Sequence, residues 1–347
     1  MYIPMYKNRM YENIFLNKYG HLFEHEKIMP YIEIIDLKIG KKEYDEESIV
    51  MHYDGLINTK YFIDFFTFLA SEYSQIDTTK LKYSLDLRSE TPDKYIKRLK
   101  STKVSNKAIP VISIKRGREK LLDVESIKAV IRNLQIEKEE IAVRIEAFLY
   151  SKFKDVITSL LRESDYLFYD IMEESTDPFI LDLMDFDNDD KFKKIITSSP
   201  RKRDITNASY LESGYTDLID NHLRKDYKEL FFDGSADYSG LKDDLPKAGG
   251  GGYGAALAML YDFKMNSYYT ITNKDTKDGS AGYEFVIHEL ERDLIKKKLR
   301  LNDDCLAYQF IKDEFIETGK NGNYAKWNLV TLIRQLSEIK LSTKYYL

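Results

Sequence analysis

Short apolar runs alternate with amphipathic helical stretches between residues 30 and 273 of the chain. The eight runs are 31–36, 61–66, 109–115, 141–147, 166–172, 193–199, 230–239 and 268–273. The stretch 123–140 shows the helical spacing, with apolar residues recurring three and four positions apart at Ile127, Val130, Ile131 and Leu134. Apolar strands separated by such helices are typical of a parallel sheet that is covered on both faces.

Eight strand–helix units in this length of chain match a TIM-like (β/α)8 barrel, which typically takes about 250 residues. The α/β prediction is therefore a barrel domain over residues 1–275. A helical extension packed on the barrel follows over 276–347, because apolar residues recur at helical spacing there, as at Phe285, Leu290 and Leu294. An open, doubly wound sheet is the alternative, and it is favoured if the run 230–239 is not a strand.

The charge balance of the chain limits the kinds of molecule that it is expected to bind. The chain has 53 Lys and Arg against 58 Asp and Glu, a net charge of −5, with both signs mixed along its length. This pattern argues against sequence-independent nucleic-acid binding driven by net charge. The single cysteine, Cys305, excludes an internal disulfide, and no run of about 18 apolar residues indicates a membrane span. We expect a cytoplasmic protein that does not enter the membrane.

Each of the first five runs carries a charged residue near its end. In a barrel strand alternate residues point inward, and the carboxyl ends of the strands form the active-site mouth. This periodicity predicts one inward-facing cluster, with Glu33, Asp64, Lys115, Arg144 and Asp170 as catalytic candidates. Glu146, two residues after Arg144, is predicted to bind a ligand.

Clustering of both signs is what would allow these charges to be buried, since a lone buried ion costs many kcal/mol. The cluster suits an anionic substrate or a carboxylate-bound Mg²⁺ or Mn²⁺ ion. Two alternatives stay open. The charges would fill the barrel as a salt-bridge network without any ligand, or a slip of one residue would turn Glu33 outward and Asp36 inward.

Two further segments offer ligand-binding candidates. The sixth run is followed by Ser198, Ser199 and Arg201, whose hydroxyl and guanidinium groups suit phosphate; an ordinary solvated turn is the alternative. Asp237 and Tyr238 follow the seventh run between two glycines, and a turn is again the alternative. The glycine-rich tract 248–256 lacks the Gly-Lys-Ser/Thr ending of a P-loop, and we interpret it as a mobile lid or linker.

Six short segments occur in this order along the chain: "MYIPMYKNRMYEN", "IMPYIEIID", "IPVISI", "AVRIEA", "LFYDI" and "ADYSGL". Together they resemble the beta protein family, which is found in phages, satellite prophages and bacterial defence islands. Position by position, the resemblance points to Pro30, Glu33, Arg144, Asp170, Asp237 and Tyr238. The chain departs from the family at Ile333 and Arg334, where a His-His pair is common. The resemblance implies a part in phage defence or in exclusion between phages.

Two functional hypotheses follow. In the first, the barrel is a hydrolase of phosphoesters, acting on a small phosphorylated ligand or a nucleic acid with a divalent metal held by the inner carboxylates. In the second, the barrel is catalytically silent, and the helical region 283–342 binds a partner protein of the same defence system through exposed apolar residues and Trp327.

Overall fold

The structure of the chain is a computed structural model, and it describes residues 1–24, 27–186, 191–248 and 254–346. In chain order the strands are β1 (Tyr2–Lys7), β2 (Tyr31–Ile34), β3 (Lys38–Ile39), β4 (Lys42–Glu43), β5 (Tyr61–Phe65), β6 (Ala108–Ile114), β7 (Ala142–Glu146), β8 (Tyr166–Asp170), β9 (Lys193–Thr197), β10 (Ser213–Tyr215), β11 (Gly234–Asp237), β12 (Ala256–Asp262) and β13 (Ser267–Asn273).

The α-helices follow the same chain order. They are α1 (Met10–Tyr19), α2 (Glu46–Leu56), α3 (Lys82–Asp86), α4 (Pro92–Lys100), α5 (Val124–Glu137), α6 (Ala147–Leu160), α7 (Ile180–Asp185), α8 (Leu223–Asp226), α9 (Gly282–Leu290), α10 (Asp293–Leu299), α11 (Leu306–Ile311) and α12 (Tyr324–Tyr346). None of the helices in the described ranges is both long enough and apolar enough to cross a lipid bilayer.

Eight parallel strands close into a barrel. Their order around the barrel is β1-β11-β9-β8-β7-β6-β5-β2, and the last strand pairs with the first. Helices connect most consecutive strands, as the alternation of apolar runs and amphipathic stretches predicts. The predicted TIM-like (β/α)8 fold is therefore confirmed, and the open doubly wound sheet is excluded because the barrel has no free edge.

One predicted barrel strand is wrong, and one strand of the observed barrel was missed. The run 268–273 forms β13, which pairs antiparallel with β10 and β12 in a separate sheet. The place assigned to it is taken by β1, which pairs with β2 and β11 and closes the barrel. β1 contains Pro4, and proline is usually excluded from a strand paired on both sides, so its sequence argues against a central position.

Helix α5 shows how local sequence sets an element. Asp123 lies at its N-cap and accepts a hydrogen bond from the Ser126 backbone N–H at 2.8 Å, which satisfies one of the donors left free by the first turn. The face with apolar residues at helical spacing is buried as predicted, and the opposite face, which includes Arg132, is exposed.

Aromatic side chains fill one level of the barrel interior. The ring centroid of Phe62 lies 4.9 Å from those of both Tyr166 and Phe168, and Tyr31 meets Phe168 edge-on at 5.3 Å. All four side chains are buried. Tyr31, Phe62 and Phe168 each have a carboxylic acid two residues further along the strand. This aromatic layer is therefore the apolar floor beneath a charged layer nearer the carboxyl ends.

The chain divides into two compact units. The barrel unit comprises residues 1–199, 223–237 and 244–248, and the second unit comprises 200–222, 238–243 and 249–347. This division does not follow the expected boundary at residue 275. The predicted lid or linker, 248–256, lies mostly outside the described residues, since 249–253 are not described.

Within the second unit, α12 lies along the three-stranded sheet β10-β13-β12. The Arg334 guanidinium donates from Nε to the Tyr261 carbonyl at 3.0 Å and from Nη2 to the Leu299 carbonyl at 2.7 Å. Trp327 is 1% exposed and is stacked against Tyr283 and Phe315. The expectation that Trp327 is a partner-contact residue is therefore wrong, because its ring belongs to the core of this unit.

Candidate functional site

Strand register brings charged residues to one level of the barrel. Lys7 of β1 is the Cα partner of Glu33 of β2, which in turn is the partner of Asp64 of β5. On the other side Ser113 of β6 is the partner of Arg144 of β7. Paired residues of neighbouring parallel strands point to the same face, so these side chains share the interior.

Glu33 is completely buried and bridges two cations. Its Oε2 forms an ion pair with the Lys7 ammonium, and its Oε1 lies 2.5 Å from Nη1 of Arg144. Asp36, the alternative inward residue, lies beyond the end of β2 and is partly exposed. The predicted phase, with Glu33 inward, is the one observed.

Arg144 connects opposite parts of this layer. Besides Glu33, its guanidinium contacts Oδ2 of Asp170, at 2.9 Å from Nε and 2.7 Å from Nη2. The other oxygen of Asp170 accepts the Met172 backbone N–H at 2.9 Å. One planar cation thus neutralises two buried carboxylates, which is the pairing that buried charges need. We call Lys7, Glu33, Arg144 and Asp170 the ion network.

Asp64 lies beside the ion network with one oxygen unused. Its Oδ2 accepts hydrogen bonds from Ser113 Oγ at 2.6 Å and Tyr31 Oη at 3.0 Å, and Nη1 of Arg144 is 4.0 Å away. Burial, and secondly the charge of Asp64, raises the pKa of the Tyr31 phenol well above its usual value, so Tyr31 stays a donor. Within the described chain, Oδ1 of Asp64 is buried and has no hydrogen-bond partner.

Lys115 occupies the next level toward the carboxyl end. It follows Ser113 by two residues, so it continues the inward face about 6–7 Å further along the strand direction. The residue is 6% exposed, and its Nζ lies 4.4 Å from the centroid of the Phe66 ring. No described residue forms a hydrogen bond or an ion pair with this ammonium, in contrast to Lys7.

The surroundings of Lys115 disfavour its charge. Burial is the largest cause that lowers the pKa of the Lys115 ammonium, and the neighbouring Arg144 cation is the second. The carboxylates of Glu33, Asp64 and Asp170 act in the opposite direction, but they do not cancel the shift. Lys115 is therefore a buried amine that gives up its proton more readily than an ordinary lysine.

Hydroxyl groups of β9 and its extension contribute to the same end of the barrel. Thr197 is the Cα partner of Asp170 and of Ala236, and its buried Oγ1 has no hydrogen-bond partner in the described ranges. Ser198 and Ser199 follow directly and are largely buried. We use the term carboxyl mouth for the barrel-unit residues Phe66, Lys115, Thr197 and Ser199.

The remaining predicted ligand-binding residues are engaged elsewhere. Glu146 accepts a hydrogen bond from Arg116 Nε at 2.8 Å. Asp237 pairs with Pro4, which is three residues from the inward-facing Lys7, so Asp237 lies on the outer face of the barrel. There its carboxylate binds Tyr2 Oη at 3.0 Å and Arg224 Nε at 2.7 Å.

Arg201 and Tyr238 belong to the second unit. The Arg201 guanidinium donates to Tyr210 Oη at 3.2 Å, to the Gly240 carbonyl at 3.1 Å and to Asn207 Oδ1 at 3.1 Å. All three partners lie in that unit, so this arginine ties its own loops together. Tyr238 is buried.

Sequence reasoning missed Lys7, although it holds one oxygen of Glu33. Its signal was present: Ile3, Met5 and Lys7 repeat the pattern of two apolar inward residues followed by a charge. Thr197 was also missed, because an isolated threonine within a strand carries no signal beyond β propensity.

A divalent metal does not fit the inner carboxylates. Glu33 and Asp170 already use oxygens on Lys7, Arg144 and a backbone N–H. Across the described ranges, no group of three or more His, Cys, Asp or Glu side chains is arranged to hold a metal ion. The predicted Mg²⁺ or Mn²⁺ site is therefore unsupported, and protein cations fill the corresponding role.

Comparison with known proteins gives no further assignment: no protein-family model matches the chain, and no curated protein matches it.

Proposed function

We propose that the carboxyl mouth of the barrel binds a small anionic ligand, a phosphorylated molecule, and that Lys115 supplies the countercharge. The observation that carries the proposal is the Lys115 ammonium, which is buried and has no anionic partner among the described residues. Burying an unpaired ammonium is costly, and an incoming anion removes that cost. Glu33 and Asp170 remove that cost less effectively, because the ion network already engages both carboxylates.

The hydroxyl groups of the mouth support the same ligand class. Oγ1 of Thr197, which has no partner among the described residues, and the hydroxyl of Ser199 are donors of the kind that contact phosphate oxygens. Barrel enzymes bind their substrates at this end of the strands, which adds support from fold-level analogy.

The hydrolytic form of the proposal is metal-independent. Asp64, with its unused Oδ1, is the carboxylate available as a general base for water. Lys115 and Arg144 would neutralise charge that develops on phosphate oxygens. Cleavage of a phosphoester should therefore persist in EDTA and fall at least about 100-fold in Asp64→Asn, the usual size of a general-base contribution.

The biological setting in the proposal comes from the resemblance to the beta protein family. On the basis of this resemblance, the proposed role is in phage defence or in exclusion between phages, and the phosphorylated ligand would be a signal or a substrate. The resemblance rests on six short segments in order, and Glu33, Arg144 and Asp170, which it points to, are members of the ion network.

Thermal unfolding with added anions tests the binding proposal. A ligand that binds only the folded chain raises its melting temperature. At a free ligand concentration of 100 times Kd, the gain in apparent stability is about 2.7 kcal/mol. We expect inorganic phosphate or a phosphorylated nucleotide to raise the melting temperature of the wild type but not of Lys115→Met. Lys154→Met is the matched control, because Lys154 is on the barrel surface and pairs with Asp185. Equal shifts in wild type and Lys115→Met would refute the proposed role of Lys115.

A second candidate function is a catalytically silent subunit that regulates a partner protein. The observation that favours it is the ion network, in which the chain's own residues satisfy Glu33 and Asp170 without a ligand. Under this hypothesis, Lys115→Met and Asp64→Asn both leave protection against phage intact in cells that carry the neighbouring genes. Loss of protection in either folded variant would contradict it.

A further inference from the structure

We infer that Lys115 is a nucleophile that forms a covalent imine with a small aldehyde or ketone carrying an anionic group. The inference rests on the proposed function, since the anionic group is what brings the compound to the carboxyl mouth. It goes further by assigning a reaction and a substrate class to one atom, Nζ of Lys115.

The position of Lys115 meets the first requirement, a nucleophile held in a dry site. It lies on the inward face of the barrel, is 6% exposed, and packs against the Phe66 ring at 4.4 Å. Lys7 also points inward and lies 4.4 Å from the same ring, yet its nitrogen is engaged in an ion pair with Glu33. Of these two inward lysines, Lys115 is the one whose amine is available.

The neighbouring cation helps to meet the second requirement, an amine that loses its proton more readily than an ordinary lysine. Burial and the charge of Arg144 both lower the pKa of Lys115. Desolvation beside another cation is a recognised way to activate a lysine nucleophile, because only the neutral amine has the lone pair that attacks carbon.

The chemistry balances without an added oxidant or reductant. The nitrogen lone pair adds to the carbonyl carbon, and a proton moves from nitrogen to the oxygen, which gives a carbinolamine. Protonation of the hydroxyl group then lets it leave as water while the C=N bond forms, and the resulting iminium nitrogen gives back one proton. The net change is amine plus carbonyl to imine plus water.

We assign these proton transfers to Asp64, whose charge acts on Lys115. Its Oδ1 is buried with no partner in the described residues, and its Oδ2 is held by Ser113 and Tyr31. Ser113 lies on the same strand face as Lys115, two residues away. Asp64 is thus one level below the amine, oriented by two hydroxyl groups and with an oxygen unoccupied.

Reductive trapping tests the inference. The wild-type chain is incubated with sodium cyanoborohydride and each of four probes: pyruvate, glyoxylate, dihydroxyacetone phosphate and the uncharged acetone. Peptide mapping by mass spectrometry then locates the reduced adducts. We expect an adduct on Lys115 with at least one anionic probe, more than with acetone, and its complete loss in Lys115→Met and Lys115→Arg. The control variant Lys154→Met should carry the adduct on Lys115 to the same extent as the wild type.

The outcomes separate this inference from the proposed function. Lys115→Arg keeps the positive charge, so anions should still raise its melting temperature while no adduct forms. Phosphate-induced stabilisation of the wild type without any adduct at Lys115 would overturn the imine and leave anion binding standing. Absence of both would overturn both. Adducts spread over exposed lysines, with none enriched at Lys115, would also overturn the imine.

Discussion

The two layers of the barrel interior are built on the same strands and differ in chemistry. The aromatic layer contains Tyr31, Phe62 and Phe168, and the acids Glu33, Asp64 and Asp170 follow these residues by two positions. Moving one level along the barrel therefore replaces ring packing by ion pairing. The difference shows that the inward periodicity sets where a side chain points, while the residue type at each level sets what holds the barrel together.

The energetics of the layers differ accordingly. Burial of an aromatic or aliphatic side chain contributes about 1.5–3 kcal/mol each. A buried ion network contributes little net stability, because desolvation offsets most of the Coulomb attraction, yet removal of one partner leaves a buried charge uncompensated. The charged layer is thus costly to disturb without being the main source of stability.

The largest expected effect is in the ion network. Arg144→Met leaves Asp170 without its cation and Glu33 with Lys7 alone. We expect a loss of about 3–5 kcal/mol in the free energy of unfolding, or failure to fold. Urea denaturation measures this loss. Arg132 is an exposed arginine on α5, so the control variant Arg132→Met should lose about 0.5 kcal/mol or less. A loss below about 1 kcal/mol in Arg144→Met would show that the layers do not differ as described.

A smaller effect is expected in the aromatic layer. Phe168→Leu keeps an apolar side chain between Tyr31 and Phe62 but loses part of the ring contacts. We expect a cost of about 1–1.5 kcal/mol in the same denaturation experiment. Because no charge is involved, this cost should be unchanged between low and high salt. A strong salt dependence would mean that the mutation disturbs the ion network above it.

The smallest effect on stability is expected for replacement of Lys115, and this replacement should stabilise the folded chain. The pKa of Lys115 is lower in the folded chain than its usual 10.5, so the unfolded chain binds this proton more tightly. The resulting penalty is fully present at pH values below the folded-state pKa and disappears as the pH rises toward 10.5.

Lys115→Met should therefore be more stable than the wild type at neutral pH, with a difference that narrows as the pH approaches 10.5. The charged groups that act on this lysine are Arg144, Glu33, Asp64 and Asp170. Thermal unfolding of both proteins between pH 7 and pH 10 measures the difference, with Lys154→Met as control. A destabilised Lys115→Met at neutral pH would show that the ammonium has an anionic partner after all.

Most of the fold could be predicted from alternation alone. Seven of the eight predicted runs are barrel strands, and the eighth, β13, has the same apolar alternation but a different sheet. Alternation indicates a strand and one buried face, and it does not indicate which strand lies beside it. β1 was missed, and its proline does not explain the omission, because the predicted strand β6 also contains a proline, Pro110, between two neighbouring strands.

The candidate site could be predicted only in part. The meeting of Glu33, Arg144 and Asp170 follows from strand phase, and the structure brings these three together. Which cation each acid binds depends on side-chain reach across the barrel, which periodicity does not specify. The predicted metal site is unsupported for that reason: Glu33 and Asp170 contact Lys7 and Arg144 of the chain itself. The isolation of Lys115 could be recognised only after these pairs were known.

A crystal structure of the chain grown with the anion that most raises its melting temperature tests the central claim most directly. We expect density for the anion at the carboxyl mouth, within hydrogen-bond distance of Lys115 Nζ, with the ion network below it unchanged. A ligand bound elsewhere, with the Lys115 ammonium paired to a carboxylate of the chain, would contradict it.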